Sequence, residues 1–232
     1  MQGGAILEIA CFNLESAITA QSAGADRVEL CVDYEAGGVS PSGELIEQAK
    51  AALTIPIHVM IRPRAGDFLY TPAEIKEMEQ AILFCKERKI NGVVFGMLTK
   101  EREVDLPLCS RLTQLARPMS VTFHRAIDDC KDMKGSVQKL IAAGVDRILT
   151  SGKGATALEG LPQLTILQKI LGKQLGIIPG GGVRSSNLDQ LFSSGCNEYH
   201  SSGITAGPEA DAEEIKAMKQ KLTKLSAENN AM

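Results

Sequence analysis

One phrase occurs twice in this chain and constrains its fold more than any other feature. Ser22-Ala-Gly-Ala-Asp-Arg-Val-Glu-Leu30 returns as Ala142-Ala-Gly-Val-Asp-Arg-Ile-Leu-Thr150. Each copy closes a helix at a glycine, which takes the left-handed conformation without a Cβ clash. It then passes through Asp-Arg into a short apolar strand. Looser copies stand at 88–95 and 193–200. A helix-Gly-strand unit repeated along one chain is how a barrel of βα units is written.

Eight apolar, β-rich runs fit that cadence, at 5–10, 27–30, 57–61, 92–95, 119–123, 147–150, 175–178 and 198–200. Amphipathic helical patterns follow them at 14–23, 42–52, 72–89, 106–116, 133–143, 161–171, 186–194 and 208–225. Strand and helix alternating eight times predicts an α/β chain folded as one (β/α)8 TIM barrel, and ring closure removes both sheet edges. No linker divides the chain, so one domain is expected over 1–225, with 226–232 a polar tail that frays. The segments 32–42 and 62–71 follow the second and third strands and reach over the barrel mouth, where barrels carry their chemistry.

Composition excludes several partners. The formal charge of −3 comes without a basic stripe, which argues against nucleic acid. No apolar run approaches bilayer length, and Met1-Gln-Gly-Gly leads straight into a strand, so a cytoplasmic protein with no membrane partner is expected. The six cysteines, at 11, 31, 85, 109, 130 and 196, form no CxxC pair and read as reduced thiols. No redox-cofactor fingerprint is evident, so no organic cofactor is expected.

The strand ends are more polar than packing requires. Residues alternate in direction along a strand, so Glu8, Arg62, His124 and His200 can converge on one cavity, and Glu29 shares a face with Cys31. Read as catalysis, Glu8 or Glu29 is the base, His124 the acid or oxyanion donor, and Arg62 the anion holder. Read as structure, Glu8, Glu29 and Arg62 neutralise one another inside the barrel. Gly180, Gly181, Gly182 and Arg184 follow the seventh strand, and Ser201, Ser202 and Gly203 follow the eighth. That is where barrels of this kind cradle a phosphate, although a tight turn needs the same glycines. With Arg62 and Arg125 these residues form the candidate anion site for a small phosphorylated or carboxylated metabolite. Lys153, between two glycines, reads as loop-borne, and His58, four residues below Arg62, as a core or bottom-face residue.

Cys11 and Cys31 close neighbouring strands about 4.8 Å apart. Two thiolates at that spacing suit Cu(I), provided the first strand bends after Ala10, since regular alternation puts Glu8 and Cys11 on opposite faces. The alternative is two small buried thiols with no ligand role.

Several tracts together resemble the CutC copper homeostasis family. They are Gly24-Ala-Asp-Arg-Val-Glu-Leu-Cys31 with Gly37-Gly-Val-Ser-Pro-Ser42, Val59-Met-Ile-Arg-Pro-Arg64 with Gly66-Asp-Phe68, Gly92-Val-Val-Phe-Gly96, Thr122-Phe-His-Arg-Ala126, Leu149-Thr-Ser-Gly152 and Pro179-Gly-Gly-Gly-Val183. They run in order from about Glu8 to Gly203. The resemblance implies a cytoplasmic, homo-oligomeric TIM barrel, with a dimer favoured, linked to copper tolerance, with Cys11 and Cys31 matching the two cysteines proposed in that family as Cu(I) ligands. The residues themselves leave two partners open, a copper ion or a small anionic metabolite, the latter implying an isomerase or lyase.

Overall fold

A computed structural model describes residues 4–230. The eight strands are β1 (Ile6–Cys11), β2 (Arg27–Leu30), β3 (Ile57–Met60), β4 (Gly92–Phe95), β5 (Ser120–Phe123), β6 (Arg147–Thr150), β7 (Gly176–Pro179) and β8 (Glu198–Ser201). All paired strands are parallel, in the order β7-β6-β5-β4-β3-β2-β1-β8. The sheet curls until β7 stands beside β8: a Cβ on Gly176 would meet Glu198 Oε1 at 3.3 Å, and one on Gly180 would meet His200 Cβ at 3.5 Å. The outer helices are α1 (Leu14–Ser22), α2 (Gly43–Ala52), α3 (Pro72–Glu87), α4 (Leu106–Ala116), α5 (Met133–Ala142), α6 (Leu161–Leu171), α7 (Leu188–Phe192) and α8 (Ala212–Asn230). Among the described residues no helix is long and apolar enough to cross a membrane. The chain is a TIM barrel, as its cadence predicts.

The repeated phrase has one structural job, performed at three places. Gly24 and Gly144 hold φ of 94° and 79° just past α1 and α5, and Lys89 takes the same left-handed position after α3 at 55°. The next residue then bonds back into the helix, Ala25 to Ala20, Val145 to Leu140 and Ile90 to Cys85, a pattern that satisfies otherwise orphaned end carbonyls. The following Asp or Asn accepts an N–H from a strand. Asp26 takes that of Leu7 at 2.7 Å, Asp146 that of Val121 at 2.7 Å, and Asn91 that of Ile57 at 3.0 Å, each on the strand before the helix. Each copy therefore fixes where a strand begins relative to its neighbour.

Alternation along the strands sorts two environments. Leu7, Ile9, Cys11, Val28, Leu30, Val59, Phe95, Phe123, Ile148 and Tyr199 belong to the apolar layer packed with the helices. The inward residues are polar to an unusual degree, because barrels of this kind are commonly filled with Val, Ile and Leu. Buried here instead are Glu8, Arg27, Glu29, His58, Thr122 and His200.

The last turns differ from expectation. Helix α8 continues to Asn230, and Ala5 N–H donates to Ser226 Oγ at 3.0 Å, so 226–230 is helical where a frayed tail is expected from the polar sequence. Residues 231–232 of that tail lie outside the described residues. Helix α8 also starts at Ala212 rather than 208, since the Asp211 carboxylate accepts the N–H groups of Glu213 and Glu214 at 2.9 and 3.3 Å, the role of an N-cap.

Candidate active site

A cavity of about 360 Å³ opens at the carboxyl ends of the strands. Its lining includes Glu29, Arg62, His124, Arg125, Gly181, Gly182, Arg184, His200, Ser201 and Ser202, together with Cys31. Most of the expected site residues therefore share one mouth. Glu8 lies beneath it and reaches it through His200. Gly180 supports it from below, its N–H donating to Thr150 O at 3.0 Å.

The floor is an ion network whose key partner sequence reasoning missed. Glu8 Oε2 accepts from Arg27 Nε at 2.5 Å, and Glu8 Oε1 lies 2.7 Å from His200 Nδ1. Arg27 reaches on to Glu198 at 2.6 Å, and Glu198 also accepts from Arg147 at 3.1 Å. The two arginines of the repeated phrase thus meet on one carboxylate inside the barrel. The parity of Arg27 with Glu29, two residues along β2, was the available signal. Arg62, by contrast, pairs with no carboxylate among the described residues, so the mutual neutralisation of Glu8, Glu29 and Arg62 is not what this barrel contains.

These contacts set the protonation states. Burial would raise the Glu8 pKa, but the Arg27 charge and the His200 hydrogen bond outweigh it and hold the carboxyl well below the usual range. Burial pushes Glu29 up to about 7, with the charge of Glu8 adding to it and that of His200 opposing. Burial opposes a charge on His200, yet Glu29 and the Glu8 hydrogen bond prevail and raise its pKa. His58 and His124 are both lowered to about 3, chiefly by burial. The neutral His58 therefore makes no ion pair with Glu8, although their atoms are 3.6 Å apart. His58 sits on the barrel floor, as its place in β3 predicts.

His124 follows β5 and starts a short 3₁₀ turn, Arg125–Asp129. Its Nδ1 accepts the Ala126 N–H at 3.2 Å, which assigns the proton of the neutral ring to Nε2. That Nε2 is buried without a partner among the described residues. Gly96 makes room for the ring, since a Cβ there would lie 2.4 Å from it. Phe68 packs on it with centroids 4.9 Å apart.

Arg62 is buried and spends its guanidinium on backbone. Its terminal nitrogens donate to Ala36 O, Gly38 O and Gly66 O at 2.8, 3.1 and 3.0 Å, which pins both mouth loops, while Nε has no partner among the described residues. Glu29 Oε2 is likewise buried and, among the described residues, unpartnered. Two orphaned donors and one orphaned acceptor thus belong to residues lining one cavity, and such groups cost free energy until something pairs them.

On the opposite side, Gly181 and Gly182 hold φ of 101° and 72°. Among the described residues no backbone carbonyl accepts either N–H. A Cβ at Gly181 would lie 3.1 Å from Arg125 Nη1, so glycine admits that guanidinium. Asp128 accepts from Arg125 Nε at 3.1 Å and from Ser151 N at 3.0 Å, fixing both. Arg184 donates to Ser201 Oγ at 3.0 Å and to Ile204 O at 2.8 Å and has no carboxylate partner among the described residues. Lys153 is exposed, its Nζ donating to Lys131 O at 3.1 Å, so it is loop-borne as expected.

The two cysteines face different surroundings. Strand β1 stays regular through Cys11, which keeps to the outer apolar layer with Leu7 and Ile9 and does not line the mouth. Cys31 does line it, in a small cluster with Met60 and Val94. Each thiol donates to a carbonyl at 3.5 Å, Cys11 to Ile9 and Cys31 to Cys11. Burial, with the carboxylate of Glu29, raises both thiol pKa values far above the ordinary one.

Comparison with known proteins decides the family. The CutC family profile matches residues 5–205. This chain belongs to the CutC family. A CutC family protein of Parabacteroides distasonis is 46% identical over 199 residues, covering 85% of this chain and 82% of that protein. The human copper homeostasis protein cutC homolog is 40% identical over 200 residues, covering 86% and 73%. The crystal structure of a putative copper homeostasis protein CutC from Streptococcus agalactiae superimposes with a TM-score of 0.82 at 31% identity, covering 87% of this chain and all of that one. The CutC barrel is thus the fold on which the mouth is built.

Proposed function

We propose that this CutC barrel is an enzyme that moves a proton on a small phosphorylated or carboxylated carbonyl metabolite, in the isomerase or lyase class. The observation that carries the reading is the set of unpartnered buried groups at the mouth, Arg62 Nε, His124 Nε2 and Glu29 Oε2. In this reading the free N–H groups of Gly181 and Gly182, with Arg184, hold the anionic end. His124 Nε2–H and Arg62 donate to the carbonyl oxygen, and their hydrogen bonds strengthen as it becomes an oxyanion. The neutral ring keeps that proton on Nε2 because its Nδ1 is occupied as the acceptor of the Ala126 N–H. Glu29, titrating near 7, takes the proton from carbon, since a general base works best with its pKa near the working pH. His200, oriented by Glu8 and protonated under the influence of the two carboxylates, returns a proton.

The test is solvent-isotope incorporation. Phosphorylated carbonyl compounds that raise the unfolding temperature are incubated with the protein in D2O and followed by proton NMR. Deuterium at a carbon beside the carbonyl, abolished in Glu29→Gln, supports the reading; ligands that bind but exchange nothing contradict it.

A second reading follows the family's copper link, which the name of the human relative carries. It is favoured by the soft pair at the mouth: a Cβ on Gly38 would lie 3.5 Å from Cys31 Sγ and 3.7 Å from Met60 Cε, and thiolate with thioether suits Cu(I). In that reading Cys31 is the ligand that matters, and Cys11 contributes only by turning through the barrel wall. Retention of stoichiometric Cu(I) by Arg62→Ala, His124→Ala protein and its loss in Cys31→Ser would favour copper over catalysis.

A further inference from the structure

The cavity is two-sided. One side, at the ends of β7 and β8 with Arg125 from the end of β5, is built of glycine N–H groups, serines and arginines; the other, at the ends of β1 to β3, presents Phe12, Cys31, Tyr34 and Met60 beside the buried Glu29 and Arg62. Taking the first side as the anion site proposed above, we infer that the ligand is a phosphate ester carrying a planar ring, which rests against Phe12 and Tyr34.

Of the three tyrosines, Tyr70 and Tyr199 are buried, whereas Tyr34 is 48% exposed at the rim of the cavity. Its loop is not slack. Val32 and Val39 exchange backbone bonds at 3.1 and 2.9 Å, Gly38 N–H donates to Asp33 O at 3.0 Å, and Arg62 clamps the Ala36 and Gly38 carbonyls. Phe12, on the first residue after β1, meets the Tyr34 ring edge to face, with centroids 5.1 Å apart and planes at 85°. An aromatic corner held this firmly and left open to a cavity offers one ring face and one ring edge to an occupant. Aromatic occupants favour such offset and edge-on contacts over non-planar ones of equal size. From the β7–β8 gap to the β1–β2 gap is two strand spacings, about 10 Å, the reach of a phosphate ester with a short spacer and one ring. A compact triose phosphate would leave the corner uncovered.

The experiment compares inorganic phosphate, 2-cyclohexylethyl phosphate and 2-phenylethyl phosphate by calorimetric titration. The expected order is tightest for the phenyl ester, by about tenfold over the cyclohexyl ester and more over inorganic phosphate. In Tyr34→Leu, and in Phe12→Leu, Tyr34→Leu protein, the phenyl preference disappears while inorganic phosphate binds as in the wild type. Equal affinity of the two esters, or a preference that survives both variants, overturns the inference and leaves the anion site standing. Failure of all three phosphates to bind the wild type overturns the phosphate form of the anion reading and the inference with it.

Discussion

His200 Nδ1 lies 2.7 Å from Glu8 Oε1, and this contact ties the barrel's buried ion network to its open mouth. Below it, Glu8 is held by Arg27, whose second carboxylate, Glu198, is shared with Arg147. Above it, the imidazole faces the cavity beside Glu29. Stability and the proposed chemistry therefore depend on the same carboxylate and can be separated by what each variant changes.

Glu8→Gln leaves the buried Arg27 without its closest carboxylate and is expected to cost about 3 kcal/mol at pH 7, as removal of one member of a buried pair does. The Glu8 pKa is depressed in the folded state, so its contribution is complete above the ordinary carboxylate range and is lost as pH falls below it. Urea unfolding of both proteins should show the gap narrowing in strong acid.

Glu29 has the opposite sign. Its folded pKa is raised from 4.5 to about 7, so the folded state keeps a proton the unfolded state has released, and stability falls as pH rises through that window. Glu29→Gln should match the wild type near pH 4 and exceed it by about 3 kcal/mol at pH 8, since each tenfold change in proton affinity is worth about 1.4 kcal/mol. The same variant loses proton transfer. A loss of stability at pH 8 would mean that the attraction between the Glu29 charge and His200 outweighs the burial of Glu29.

His58 and His124, both near 3, remain neutral from pH 5 to 8. Their imidazole NMR signals should not move across that range, while the His200 signals titrate above the usual imidazole midpoint. The unfolded chain takes up two protons that these residues refuse when folded, so acid weakens the fold progressively below about pH 6.5.

The cysteines divide by face. Cu(I) titration against a competing chelator, with Cys11→Ser and Cys31→Ser made separately, should show any mouth-bound copper lost on changing Cys31 and largely kept on changing Cys11. Equal and complete loss in both single variants would mean that Cys11 turns inward to complete a two-thiolate site.

Much of this was legible from residues alone, for physical reasons that differ by element. The barrel was readable because Gly24, Gly144 and the Asp that follows each perform backbone tasks few other residues can. Alternation along short strands pointed Glu8, Arg62, His124 and His200 at one cavity; Arg62, His124 and His200 line it and Glu8 lies beneath. Arg27 was not, because a residue at the start of a strand gives no sign of which neighbour it meets; only the β1–β2 register, Glu8 opposite Arg27, brings them together. The Phe12–Tyr34 corner was hidden for a related reason, as loop conformation decides whether two aromatics separated by a helix and a strand ever touch. The end of α8 defied its polar composition because one hydroxyl, Ser226, is held by Ala5 at the entry to β1.

The most direct test of the central claim is amide NMR of the reduced protein titrated with inorganic phosphate. An anion site at the ends of β7 and β8 predicts saturable shifts concentrated at Gly181, Gly182 and Ser202, with the His124 ring responding across the mouth. Shifts scattered over exposed lysines, or none at all, would contradict an anion site at this end of the barrel.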